Sequence, residues 1–207
     1  MGLLNSSNKY GSLARFFHWT LAGLFLFQFA SIVAYRFMGQ NPPALAWEIL
    51  NWHKECGLLI LFLGALRLIW RVVTTLPDWH PDFGAWDKRL SHFAERSLYG
   101  ALFVMTASGI VLELTGGHYV PFFGLFYLDN VAPYLHGSAV AKDAAAIAAR
   151  EAGSLPLVSQ VLVAVHVVGA YAVVALVAVH LAHVLHHQLG PRDGLLARMA
   201  PGRRWRS

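Results

Sequence analysis

Cysteine is nearly missing from this chain: Cys56 is the only one in 207 residues. A lone thiol can form neither an internal disulfide nor a thiolate metal cluster, so the fold depends on neither. Charge is scarce as well. Only 13% of residues are charged, about half the share of an ordinary soluble domain. Acidic side chains are the rarer sign, 11 against 16 Lys and Arg, for a net charge of +5. Within the long apolar stretches carboxylates occur only near the ends, Glu95 and Glu113 among them. That excludes a relay of acidic groups through the middle. No internal repeat and no soluble second domain can be read in the chain.

What is abundant is apolar. Hydrophobic residues make up 57% of the chain, gathered into four blocks at approximately 16–38, 52–70, 93–114 and 157–185. A helix crossing about 30 Å of hydrocarbon needs roughly 20 such residues, and each block supplies them. The expectation is an all-α integral membrane four-helix bundle, one domain over 1–207. Arg67, near the end of the second block, can extend its guanidinium to the interface. PPALAWEIL (42–50) reads as a short link and TTLPDWHPDFGAWDK (74–88) as a turn-rich one. The connection 115–156 is the longest, with an aromatic run, HYVPFFGLFYL, followed by AVAKDAAAIAAREAG. Alanine favours helix, so the latter stretch predicts a short helix on the membrane surface or the bundle mouth.

Four spans put both termini on one side. Of the 16 Lys and Arg, twelve fall on that side and four, at 36, 54, 142 and 150, on the other. The positive-inside rule makes the termini cytoplasmic and the long loop outward-facing. Trp19, Trp52 and Trp70 fall near the expected interfaces. The basic residues flank the spans, where orientation accounts for them, and no nucleic-acid partner is implied.

Histidines inside the spans carry the functional signal. The fourth block contains VHVVGAYAVVALVAVHLAHVLHH (165–187). His166 and His180 are 14 residues apart, which is about 21 Å along a helix with only about 40° of rotation between them. One helix face therefore carries a histidine towards each membrane surface. The topology sets His18, at the start of span one, level with His180, and His53, at the start of span two, level with His166. Two imidazoles on opposite sides of a flat macrocycle are what bis-histidine haem iron requires. With both axial positions filled, electron transfer is the expected chemistry rather than reaction at the metal. Zinc sites prefer four close ligands, and two separated pairs suit zinc poorly. Arg67, Arg71 and Lys54 are candidate partners for haem propionates, although topology signalling explains the same residues. Gly57, Gly64, Gly100, Gly109 and Gly169 either make room for a macrocycle or allow close helix packing.

The pattern resembles the bacterial cytochrome b561 family, small four-helix, two-haem cytochromes of the inner membrane. The resemblance rests on RFFHW (15–19), WHKECG (52–57), RLIWR (67–71), LSHFAERSLY (90–99), VPFFGL (120–125), the His166 and His180 pair, and the tail LLARMAPGRR. It implies two haem b groups, one held by His18 and His180 on the cytoplasmic side and one by His53 and His166 on the outer side. It also implies ubiquinone or another quinone as mobile partner, with His92 and Trp19 as quinone-side candidates. Such proteins are regarded as passing electrons between the quinone pool and an outer-side donor or acceptor. Superoxide is one proposed donor, which would make the protein a superoxide:quinone oxidoreductase. Lys54, Lys142 and Arg150 would then steer the anion. The chain departs from the family at Glu95 and Arg96, where members can carry a second histidine, and in a longer outer loop offering a docking surface over 115–156.

Two other functions compete. One is a cytochrome b subunit anchoring a periplasmic hydrogenase or dehydrogenase, or serving another periplasmic redox protein. The other, a haem-free metal transporter, needs polar residues between the two histidine depths. Span four has Ala170, Ala172, Ala175 and Ala178 there.

Overall fold

A computed structural model describes residues 2–38, 44–79, 83–115, 119–128, 157–190 and 195–200. Its long helices are α1 (Ser12–Phe37), α2 (Ala44–Val73), α3 (Ala85–Thr115) and α4 (Leu157–Leu189), followed by a short α5 (Leu195–Met199). Each of the first four is long and apolar enough to cross a membrane. Large apolar side chains lie bare along their flanks, with Leu26 73% and Tyr171 74% exposed. So much open apolar surface requires hydrocarbon rather than water as solvent. The protein is a four-helix membrane-spanning bundle.

The helices outrun the apolar blocks. PPALAWEIL, expected as a link, is helical from Ala44 onward, because Ala, Leu and Glu are strong helix formers and the preceding prolines suit a helix start. At the start of α3 the Gly84 N–H donates to Asp87 Oδ2 at 3.0 Å. This is one arm of a capping box, and it begins the helix eight residues before the apolar block. Within the aromatic run, β1 (Val120–Phe122) and β2 (Phe126–Leu128) pair antiparallel, Phe122 opposite Phe126. Phe123 and Gly124 turn the chain with φ of 49° and 70°, the left-handed pair that tight hairpins favour. Phe122 stacks on Phe126 at 4.8 Å. The stretch expected as an alanine-rich helix, with Lys142 and Arg150, lies outside the described residues.

The chain divides into two compact units. The first comprises Met1–Gly23, Phe62–Phe103 and Tyr171–Ser207, and the second Leu24–Leu61 and Val104–Ala170. Phe17, Leu21, Leu102 and Val173 are buried in the first. There Gly64 lets α2 close on Leu102, whose methyls would lie 2.8 Å from an added Cβ. Backbone carbonyls then tie its ends together. Asn5 donates to the Thr75 carbonyl at 2.8 Å, and Trp19 Nε1 to the Met199 carbonyl, also at 2.8 Å. Buried Arg198 donates to the carbonyls of Asn8 and Asp78. These bonds put the basic tail motif to structural use.

Ile60, Ala46 and Val120 are buried in the second unit. Phe123 N–H donates to Glu55 Oε1 at 3.1 Å and holds the hairpin to α2. Lys54 Nζ meets Glu113 Oε2 at 2.7 Å between α2 and α3, with the side chains 14% and 22% exposed. Removing one partner of a shielded ion pair strands the other charge. Lys54→Ala should therefore cost about 2–4 kcal/mol, and adding Glu113→Gln should recover about 1–2 kcal/mol of it. Reversible unfolding in detergent measures this cycle, and strictly additive losses would show that the pair carries no coupling.

Candidate functional site

The structure brings the rings of His18 and His180 near each other in the first unit and those of His53 and His166 in the second. In the first unit the His18 and His180 rings stand 6.3 Å apart, centroid to centroid, inclined at 57°. In the second the His53 and His166 rings stand 6.4 Å apart at 74°. These spacings are too long for a hydrogen-bonded or stacked imidazole pair. A metal–imidazole bond is about 2 Å, and a ring centroid lies roughly 1 Å behind its nitrogen. Two rings on opposite sides of one metal ion would thus stand roughly 6 Å apart. Both pairs fit that spacing.

Serines orient the second pair. Ser31 Oγ donates to the Gln28 carbonyl at 2.9 Å and lies 3.2 Å from His53 Nδ1. With its proton committed, the hydroxyl can only accept from that nitrogen. His53 then carries its proton on Nδ1, which leaves the Nε2 lone pair available to a metal. Ser108 repeats the device from α3, donating to the Met105 carbonyl at 3.0 Å and facing His166 Nδ1 at 3.1 Å. Both serines are buried. A hydrogen-bonded outer nitrogen is how ligating histidines are normally held. Glycine completes the seat: a Cβ at Gly109 would lie 3.0 Å from His166 Cε1. Gly57 abuts Gln28 and Gly169 abuts Met105, so these three serve close packing, whereas a Cβ at Gly100 would meet nothing.

An arginine, not a serine, faces the first pair. Arg67 Nη2 lies 3.2 Å from His18 Nδ1, and its guanidinium sits over the Tyr99 ring at 5.6 Å. Guanidinium only donates, so in this arrangement Nδ1 accepts and the His18 proton is on Nε2. Metal ligation through Nε2 needs the other tautomer. Arg67 would then have to turn to a different acceptor. Arg71 is already engaged, donating from Nε and Nη2 to the two oxygens of Glu95 at 2.6 and 3.1 Å. A small cavity of about 50 Å³ opens among Tyr10, Arg67, Trp70, Arg71, Glu95 and Tyr99. Burial, and then the Glu95 carboxylate, push the Tyr10 phenol above its ordinary pKa, so it stays a neutral donor there. The cavity has room for a carboxylate or a few waters, and is small for an aromatic ring.

The remaining sequence candidates are more dispersed. Trp19 packs edge-on to His18 at 5.2 Å while its indole N–H is committed to Met199. His92 packs edge-on to Trp79 at 5.3 Å. Lys54 is held by Glu113. Sequence reasoning missed Ser31, Ser108 and Gln28, although a signal was present: FASIV in the first span and TASGIV in the third each set a serine in an apolar run.

The chain is similar to known proteins over nearly its whole length. The sequence profile of the family described as prokaryotic cytochrome b561 matches residues 9–202. Cytochrome b561 homolog 2 of Escherichia coli (strain K12) is 26% identical over 205 residues, covering 96% of this chain and 95% of that one. Four spans and this relationship support a multi-pass protein of the bacterial inner membrane with a haem-mediated electron-transfer role. The chain belongs to the prokaryotic cytochrome b561 family.

Proposed function

We propose that this protein is a two-haem b-type cytochrome moving electrons between the membrane quinone pool and a donor or acceptor on the outer side. Its termini are cytoplasmic, as twelve of its 16 basic residues imply. The observation that carries this reading is the pair of imidazole spacings, 6.3 Å for His18 and His180 and 6.4 Å for His53 and His166. Haem supplies one-electron chemistry when bound, and bis-histidine ligation leaves the iron no open position for substrate. The chain's own residues set the rest. Ser31 and Ser108 hold two of the rings with their outer nitrogens protonated, which makes the inner nitrogens better electron donors. Arg67 supplies the positive charge beside His18, because Glu95 offsets that of Arg71. Glu113 likewise offsets Lys54, and anion steering at the outer side by Lys54 is correspondingly weak. Superoxide remains one outer donor within this reading, which then makes the protein a superoxide:quinone oxidoreductase. His92 remains the quinone-side candidate, since the polar handle of Trp19 is taken.

Haem stoichiometry and redox spectra test the assignment directly. Two low-spin haems per chain are expected. His18→Ala or His180→Ala should remove one of them, and His53→Ala or His166→Ala the other. A single haem, or losses that follow His92 instead, would overturn the pairing. The neighbours give a second test with opposite signs. Arg67→Gln removes a cation that favours the reduced state and should lower one midpoint by about 30–60 mV, the equivalent of a few-fold to tenfold change in equilibrium. Ser108→Ala weakens the donor strength of His166 and should raise the other midpoint. Shifts of the same sign would contradict the tautomer argument.

A further inference from the structure

Among the described residues, one group of three potential metal donors lies together, and the haem reading does not use it. Asp87, His183 and His187 each offer one donor atom, and these atoms lie within 4.8 Å of one another. His183 and His187 are four apart on α4 and so share one helix face. Asp87 comes from the first turn of α3, within the same compact unit.

We propose that these three residues bind a divalent transition cation of the zinc class, with one coordination position left for water. Two imidazoles and a carboxylate are a donor set that zinc accepts, and three protein ligands leave its fourth position open. One of the separations suits shared ligation of an ion. His187 Nε2 and Asp87 Oδ1 are 3.5 Å apart, longer than a good charge-assisted hydrogen bond. Two donors on one tetrahedral ion with bonds of about 2 Å stand roughly 3.3 Å apart.

Two of the donors, Asp87 and His183, also already have the kind of hydrogen-bond partner that orients a ligand. The Gly84 N–H holds Asp87 Oδ2 at 3.0 Å, leaving Oδ1 turned to His187. His183 Nε2 is 3.2 Å from Ser91 Oγ, a hydroxyl that can rotate. Buried His187 lies against Phe83, ring centroids 4.6 Å apart and planes within 30°, and its edge contact with His183 is also 4.6 Å. Bound there, the cation would clamp the start of α3 to the end of α4, three residues from His180.

The test is zinc titration of the purified, haem-loaded protein by calorimetry after chelator treatment, with metal content checked by elemental analysis after dialysis. One equivalent binding at 10 µM or tighter is expected. His183→Ala and His187→Ala should each weaken it at least tenfold. Asp87→Asn, which keeps the acceptor for Gly84 N–H, should weaken it several-fold. His186→Ala should leave it unchanged, and haem content should stay constant in every variant, showing that the fold is intact. Binding weaker than 10 µM would overturn the site. So would affinity that survives His183→Ala or His187→Ala, or that falls with His186→Ala.

Discussion

Hydrocarbon offers no hydrogen bonds, and that one constraint organises every polar group in the spans. Several of the described polar side chains meet a partner supplied by the protein. Gln28 Nε2 donates to the His53 carbonyl at 3.0 Å, Ser31 and Ser108 each serve a carbonyl and a histidine, and Lys54 meets Glu113. In water these groups would have many alternatives and little positional value. In lipid a satisfied arrangement is also an oriented one. The same requirement that makes the fold tolerable to the membrane therefore fixes the Nδ1 partners of His53 and His166.

The two histidine pairs meet that requirement differently. Around His53 and His166 the neighbours are neutral hydroxyls whose own protons are spent on carbonyls, so the tautomer is set before any cofactor arrives. Around His18 the neighbour is a guanidinium stacked on Tyr99, and the preferred proton position is reversed. A charged neighbour is more expensive to keep in a span, and it has more to gain from an anionic partner. The difference gives the two sites distinct electrostatics within one short chain.

The ends of the helices follow ordinary aqueous rules. Asp87 caps α3, Thr74 Oγ1 returns to the Trp70 carbonyl at 2.7 Å, and buried Arg198 and Arg15 reach backbone carbonyls of the adjoining segments. Basic residues read from the sequence as orientation signals thus do local work as well. The His183 and His187 cluster sits in this same region, where an aspartate, a serine and an aromatic ring converge on the end of α4.

The four spans and the histidine pairing were legible in the sequence because each rests on a one-dimensional quantity. Apolar run length measures against bilayer thickness, and helical rise converts a separation of 14 residues into depth and azimuth. The helix bounds were less legible, since the ends are set by caps such as Asp87 and by helix-forming stretches outside the longest apolar runs, such as 44–51. Ser31 and Ser108 were visible as serines in apolar runs, but not as partners of His53 and His166, which lie 22 and 58 residues further along the chain. The same holds for Lys54 with Glu113, Arg71 with Glu95, and Arg67 with His18. By itself the sequence determined how many times the chain crosses and at which depths its imidazoles lie. Only tertiary structure decided what stands behind each imidazole, because azimuthal contact between separate helices has no period along the chain to reveal it.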